Sequence, residues 1–139
     1  MDKDIEIKLV ETAIRARDSA YAPYSRFQVG AALLDNDGVI ITGCNIENAA
    51  YTPAICAERT AFAKAVSEGK RDFAAIAVAG WAEGNKPDFA YPCGVCRQVM
   101  MEFVKPDTFK VIVAKSTGDY RSHSLKDLLP YGFGPDNLS

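Results

Sequence analysis

Ile5, Leu9, Val10, Ala13 and Ile14 recur at helical spacing among charged neighbours, so the chain is predicted to open with an amphipathic helix over residues 4–20. Tyr21-Ala-Pro-Tyr-Ser25 ends it. Two apolar runs, residues 27–34 and 39–44, flank Asp35-Asn-Asp-Gly38 and read as a β-hairpin around a turn suited to that sequence. Pro53 precedes an Ala-rich helical stretch over residues 56–68, which Gly69 stops. A buried strand is expected over residues 73–79, then a loop over residues 80–91 containing Gly84 and Pro87. Val95, Val99 and Phe103 mark a third helix, and residues 110–114 a further strand. Ser124-Leu-Lys-Asp127 resembles a capping box opening a short helix before Pro130. With no repeat or linker, the 139 residues read as one α/β layer domain with a mixed sheet.

Composition narrows the function classes. At 48% hydrophobic and 24% charged residues the chain is ordinary globular material rather than disordered or fibrous. A formal charge of -2 and a pI near 5.4 lack the basic excess that polyanion binding requires, so a small ligand is expected and no nucleic acid. Met1-Asp2-Lys3-Asp4 carries acid with no uninterrupted apolar stretch behind it, so it does not read as a secretory signal, and no membrane-spanning run follows. The four cysteines are therefore expected to be reduced thiols in a cytoplasmic protein, available to a metal.

Cys93-Gly-Val-Cys96 can place two sulfurs on one ion across the first turn of a helix, although the same spacing also serves redox pairs or two unrelated thiols. Cys56 supplies a third thiol at another predicted helix start, where backbone N–H groups favour thiolate. A closed structural site would need a fourth ligand, for which Cys44 and the single histidine, His123, are the candidates. Cys44 reads more simply as a small buried strand residue and His123 as a surface or turn residue. Three protein ligands leave a coordination position for water and hence for hydrolysis. Glu58, two residues from Cys56, can work on that water; alternatively it caps its helix or pairs with Arg59.

Cys56-Ala-Glu58 combined with Pro92-Cys93-Gly-Val-Cys96 resembles the signature of the zinc nucleoside deaminases, in the three-cysteine variant. The resemblance extends through Tyr24-Ser-Arg-Phe27-Gln-Val-Gly-Ala-Ala-Leu33, Gly43-Cys-Asn45-Ile-Glu47-Asn48-Ala-Ala-Tyr51, Cys96-Arg-Gln98 and Leu128-Leu-Pro-Tyr-Gly-Phe133-Gly-Pro, and points to the small homotetrameric cytidine deaminases. It implies a three-layer α/β/α sandwich and one Zn2+ per subunit held by Cys56, Cys93 and Cys96. It also implies that Asn45 and Glu47 bind the ribose hydroxyls, that Phe27 lines the base site, and that the backbone at Ala57 reads the pyrimidine edge. Tyr51 and Phe133 match positions that complete a neighbouring subunit's pocket, and Arg59 matches an arginine that bonds the zinc thiolates, here Cys56 and Cys93.

The activity so implied is hydrolytic deamination of cytidine and deoxycytidine to uridine and deoxyuridine with release of ammonia, in pyrimidine salvage. Zinc-activated water attacks while Glu58 shuttles the protons. Three rivals share parts of the pattern: a blasticidin S deaminase, a nucleic-acid-editing deaminase, and a noncatalytic zinc module. Asn45-Ile-Glu47 and the carboxyl-terminal pattern disfavour the first, the acidic composition the second, and the missing fourth ligand the third.

Overall fold

The computed structural model describes residues 1–139. Helix α1 (Lys3–Ala16) starts on Asp2, whose carboxylate accepts the Asp4 N–H at 2.7 Å, and buries Leu9, Val10 and Ala13. A 3-10 turn (Arg17–Ser19) continues it, so the periodic stretch expected through residue 20 becomes two consecutive elements. Strands β1 (Phe27–Asp35) and β2 (Ile40–Cys44) form the expected hairpin. Its turn is fastened by the Asp35 carboxylate, which accepts the N–H groups of Asp37 and Val39 and pairs with Lys70 Nζ at 2.7 Å. Helix α2 (Ala57–Ser67) then crosses to β3 (Phe73–Ala82), α3 (Gly94–Phe103) leads to β4 (Lys110–Ser116), and β5 (Asp119–Ser124) runs into the one-turn helix α4 (Leu125–Leu128). Ser124 caps α4 through its hydroxyl, which accepts the Asp127 N–H at 3.1 Å.

The strands form one five-stranded sheet in the order β2-β1-β3-β4-β5, with β3 and β4 parallel and every other pair antiparallel. Strand alternation divides the core into two layers. Leu33, Ile76, Val78, Val111 and Val113 face α2, α3 and α4, while Ala32, Leu34, Ala77, Ala79 and Ile112 face α1. Three layers result, as expected. Small residues on the α1 side let that helix sit close: a methyl on Gly30 would lie 2.1 Å from the Ala13 carbonyl oxygen.

Two differences from the sequence reading bear on the site. β3 runs on to Ala82, so the loop expected from residue 80 starts later. β5 was not expected. Its Asp-Tyr-Arg-Ser-His-Ser sequence has no apolar alternation, because it is an edge strand held by its ladder to β4 rather than by burial of both faces.

Candidate active site

Strands β2 and β3 run parallel with β1 between them, and α2 and α3 each begin beyond the carboxyl end of one of them. Gly43 sets the position of α2. A methyl there would lie 2.4 Å from the Ala57 carbonyl oxygen and 2.6 Å from the Ala61 nitrogen, so only glycine lets β2 touch the first turn of that helix. Cys56 and Cys93 occupy the residues just before α2 and α3, in extended conformation, where no side chain caps the free N–H groups.

The sulfur of Cys56 lies 3.8 Å from that of Cys93, which lies 3.6 Å from that of Cys96, and all three fall within 4.8 Å of one another. A tetrahedral ion with metal–sulfur bonds of about 2.3 Å needs sulfurs about 3.8 Å apart, so the cluster is compatible with one zinc ion. All four cysteines are free thiols. Cys44 is outside the cluster, its thiol directed at the Ser19 carbonyl at 3.4 Å, and His123 bonds Tyr91 instead. No fourth protein ligand joins the three sulfurs.

Electrostatics distinguish the thiols. A bond from Cys96, opposed by burial and reinforced by Arg59, brings the Cys56 thiol down to about 5, while that same bond and burial push Cys96 up. Arg59 donates to the Cys56 sulfur at 3.5 Å, which raises its own pKa, and its other thiol partner is Cys96 rather than the expected Cys93. It is not paired with Glu11 on the surface.

Glu58 is 4% exposed. Burial, opposed by its own backbone bond and reinforced by the charge of Cys56, brings its carboxyl up to about 7, so near neutrality it can both take and give a proton.

These groups open on a cavity of about 250 Å³ whose lining includes Phe27, Asn45, Glu47, Ala57, Glu58 and Tyr91. Asn45 is anchored at both ends of its amide: the oxygen accepts the Val29 N–H at 2.9 Å and the nitrogen donates to the Phe27 carbonyl at 2.8 Å. Glu47 accepts the N–H groups of Tyr24 and Ser25 at 3.0 and 3.1 Å and a short bond from the Ser25 hydroxyl. The hydroxyl bond, more than the two N–H bonds, holds its carboxyl below the ordinary range, leaving an anion on the wall.

Tyr51 and Phe133 do not line this cavity in their own chain. They are 77% and 57% exposed. Tyr91 also lines the cavity, and its one sequence signal is its place directly before the Pro92-Cys93 motif. A larger open cleft of about 860 Å³, between the carboxyl end of α3 and the carboxyl-terminal segment, contains neither a cysteine nor Glu58.

Fold and site together define an α/β hydrolytic enzyme with an open three-thiolate metal centre and a buried carboxyl beside it. A family model described as "Cytidine and deoxycytidylate deaminase zinc-binding region" matches residues 3–114. The chain is 51% identical to a cytidine deaminase of Halalkalibacterium halodurans over 131 residues, 94% of this chain and 96% of that one. It is 48% identical to one of Sporosarcina psychrophila over 136 residues, 98% of this chain and 96% of the relative. A crystal structure of cytidine deaminase from Burkholderia pseudomallei superposes with a TM-score of 0.82 at 52% identity, covering 91% of this chain and 97% of that one. The chain belongs to the cytidine deaminase family.

Proposed function

We propose that this protein, a single domain over residues 1–139, deaminates cytidine and deoxycytidine to uridine and deoxyuridine with release of ammonia. The observation that carries this reading is the buried Glu58 carboxyl, pushed up to about 7, beside three converging thiols of which Cys56 and Cys93 line the same cavity. Cys56, Cys93 and Cys96 hold the ion. When bound, zinc supplies Lewis-acid activation of water. Glu58 takes the proton of the attacking water and passes it to N3 of the pyrimidine as the new C4–O bond forms. It then takes the proton of the C4 hydroxyl and delivers it to the departing amino group; the C4–N bond breaks as the C4 carbonyl forms, and ammonia leaves.

The remaining groups bind and orient. Phe27 packs on the base, the Ala57 backbone meets its polar edge, and Asn45 and Glu47 face the ribose, an amide and a carboxylate that together can donate to and accept from hydroxyls. The anchoring of both side chains fixes their direction before substrate arrives. Arg59 draws charge from the thiolates and so offsets their three negative charges. The working form is a cytoplasmic homotetramer in which Tyr51 and Phe133 complete a neighbour's pocket. No helix is long and apolar enough to cross a membrane.

The test is to incubate zinc-loaded protein with cytidine and follow uridine and ammonia, with blasticidin S in parallel. Equimolar products from cytidine are expected. Absence of turnover at full zinc loading overturns the reading.

A further inference from the structure

The loop between β3 and α3 reaches the metal-binding turn with little support of its own. Residues 86–92 make no backbone-to-backbone hydrogen bond, yet this stretch contributes Ala90 and Tyr91 to the cavity wall and ends one residue before Cys93. Its placement depends on side chains. The Phe89 ring packs against the core, with Arg121 Cζ 4.0 Å and Lys115 Nζ 4.7 Å from its centroid. Two residues later the Tyr91 hydroxyl meets His123 Nε2 at 2.9 Å, with the rings 5.3 Å apart at 56°.

The spacing matches on both sides. Phe89 and Tyr91 are two apart on the loop, as are Arg121 and His123 on β5, so the extended loop lies along the strand and engages it at alternate residues. In the ladder His123 is opposite Val111 and Arg121 opposite Val113, residues of the core layer beneath α2 and α3, so both side chains face the loop. The Pro92 carbonyl then accepts the Arg97 Nε–H at 2.8 Å, completing the approach to Cys93.

We propose that His123 is a positioning residue for the substrate cavity: by its hydrogen bond to Tyr91 it ties the wall of the site to β5. The proposal rests on the deaminase reading for its kinetic consequence. Tyr91 lines the cavity and makes no hydrogen bond to a thiol, so releasing it weakens ground-state and transition-state binding alike, which raises KM and spares kcat.

The chain has one histidine, so its imidazole ¹⁵N signals need no assignment by substitution. In Tyr91→Phe the Nε2 resonance should move; an unchanged resonance overturns the contact itself, whatever the enzyme's activity. With cytidine as substrate, Tyr91→Phe and His123→Ala should each raise KM by about 3- to 10-fold, the range for loss of one hydrogen bond, with zinc content retained and kcat within about twofold. The double variant should resemble either single one, because both remove the same interaction. Normal KM in both zinc-replete single variants, or effects that multiply in the double, overturns the positioning role. A fall in melting temperature with KM unchanged would reduce His123 to a structural contact. A parent enzyme inactive on cytidine would instead count against the deaminase reading, with the nitrogen shift still deciding whether the contact exists.

Discussion

In the proposed reaction one side chain, Glu58, serves two opposite steps. An exposed carboxyl is too weak a base and too readily ionised to be an acid near neutrality, whereas burial in the first turn of α2 brings it to about 7, between the two tasks. Glu58→Gln keeps the size and the helix but removes the carrier. Turnover should fall by at least about 10² to 10⁴-fold, with zinc content and melting temperature near those of the parent, and near-normal turnover would exclude Glu58 from proton transfer. The cysteines divide in the same residue-by-residue way. Cys56→Ala, Cys93→Ala and Cys96→Ala should each lose bound zinc in metal analysis of folded protein, because two thiolates hold the ion poorly. Cys44→Ala should retain one equivalent, since its thiol faces the Ser19 carbonyl and contributes packing only. Full retention in a Cys93 variant would refute the assigned ligand set.

At the scale of the element, the positions of two helices decide whether these residues meet. Gly43→Ala places a methyl within 2.6 Å of two backbone atoms of α2, so that helix has to move off β2 and carry Cys56 and Glu58 with it. Overpacking of this kind costs about 1–3 kcal/mol of stability, and the accompanying displacement should lower turnover by about tenfold or more. Gly69→Ala is the control, because its φ of +93° penalises any side chain although nothing lies within 4 Å of it. It should lose stability and keep its turnover; equal losses of turnover in both would mean that stability, not the placement of α2, is responsible.

These elements were unequally legible in the sequence. α1, the β1–β2 hairpin and the starts of α2 and α3 follow from period and turn chemistry, since each buries one apolar face. β5 is not legible that way, because an edge strand need not alternate and its pairing partner is encoded in β4. For the same reason Tyr91 and His123 could not be paired: their contact joins residues 32 apart through a strand that the pattern did not reveal. The three thiols could be grouped by spacing and chemistry, whereas Glu58, which its position alone leaves equally a helix cap or an Arg59 partner, was singled out by the resemblance. Phe27, Asn45 and Glu47 were identified by resemblance alone, because a polar loop and a strand-start aromatic carry no local signal of a ligand.

The whole molecule leaves several aromatic side chains unused by its own core. Tyr51 and Tyr131 sit at φ of 62° and 57°, a conformation that bulky residues adopt at a cost of about 1–3 kcal/mol, and both are largely exposed. Phe133 lies on the same segment as Tyr131, whose backbone is fastened to α3 where Gln98 donates to the Phe133 carbonyl at 2.8 Å and Arg97 to the Leu128 carbonyl at 2.6 Å. A segment held this firmly while its aromatic ring faces outward is suited to present that ring to another subunit. In the proposed homotetramer Phe133 therefore acts in trans, and two inactive chains should repair one another. A site on a Phe133→Ala chain keeps Glu58 and gains Phe133 from a Glu58→Gln neighbour, so random exchange at equal amounts should make about a quarter of the sites complete. Activity should appear on mixing and grow as subunits exchange, reaching about a quarter of the parent's. Light scattering should give a tetramer for the parent and for both variants. A monomeric parent, or no rescue despite exchange demonstrated with labelled chains, would place Phe133 in the service of its own chain.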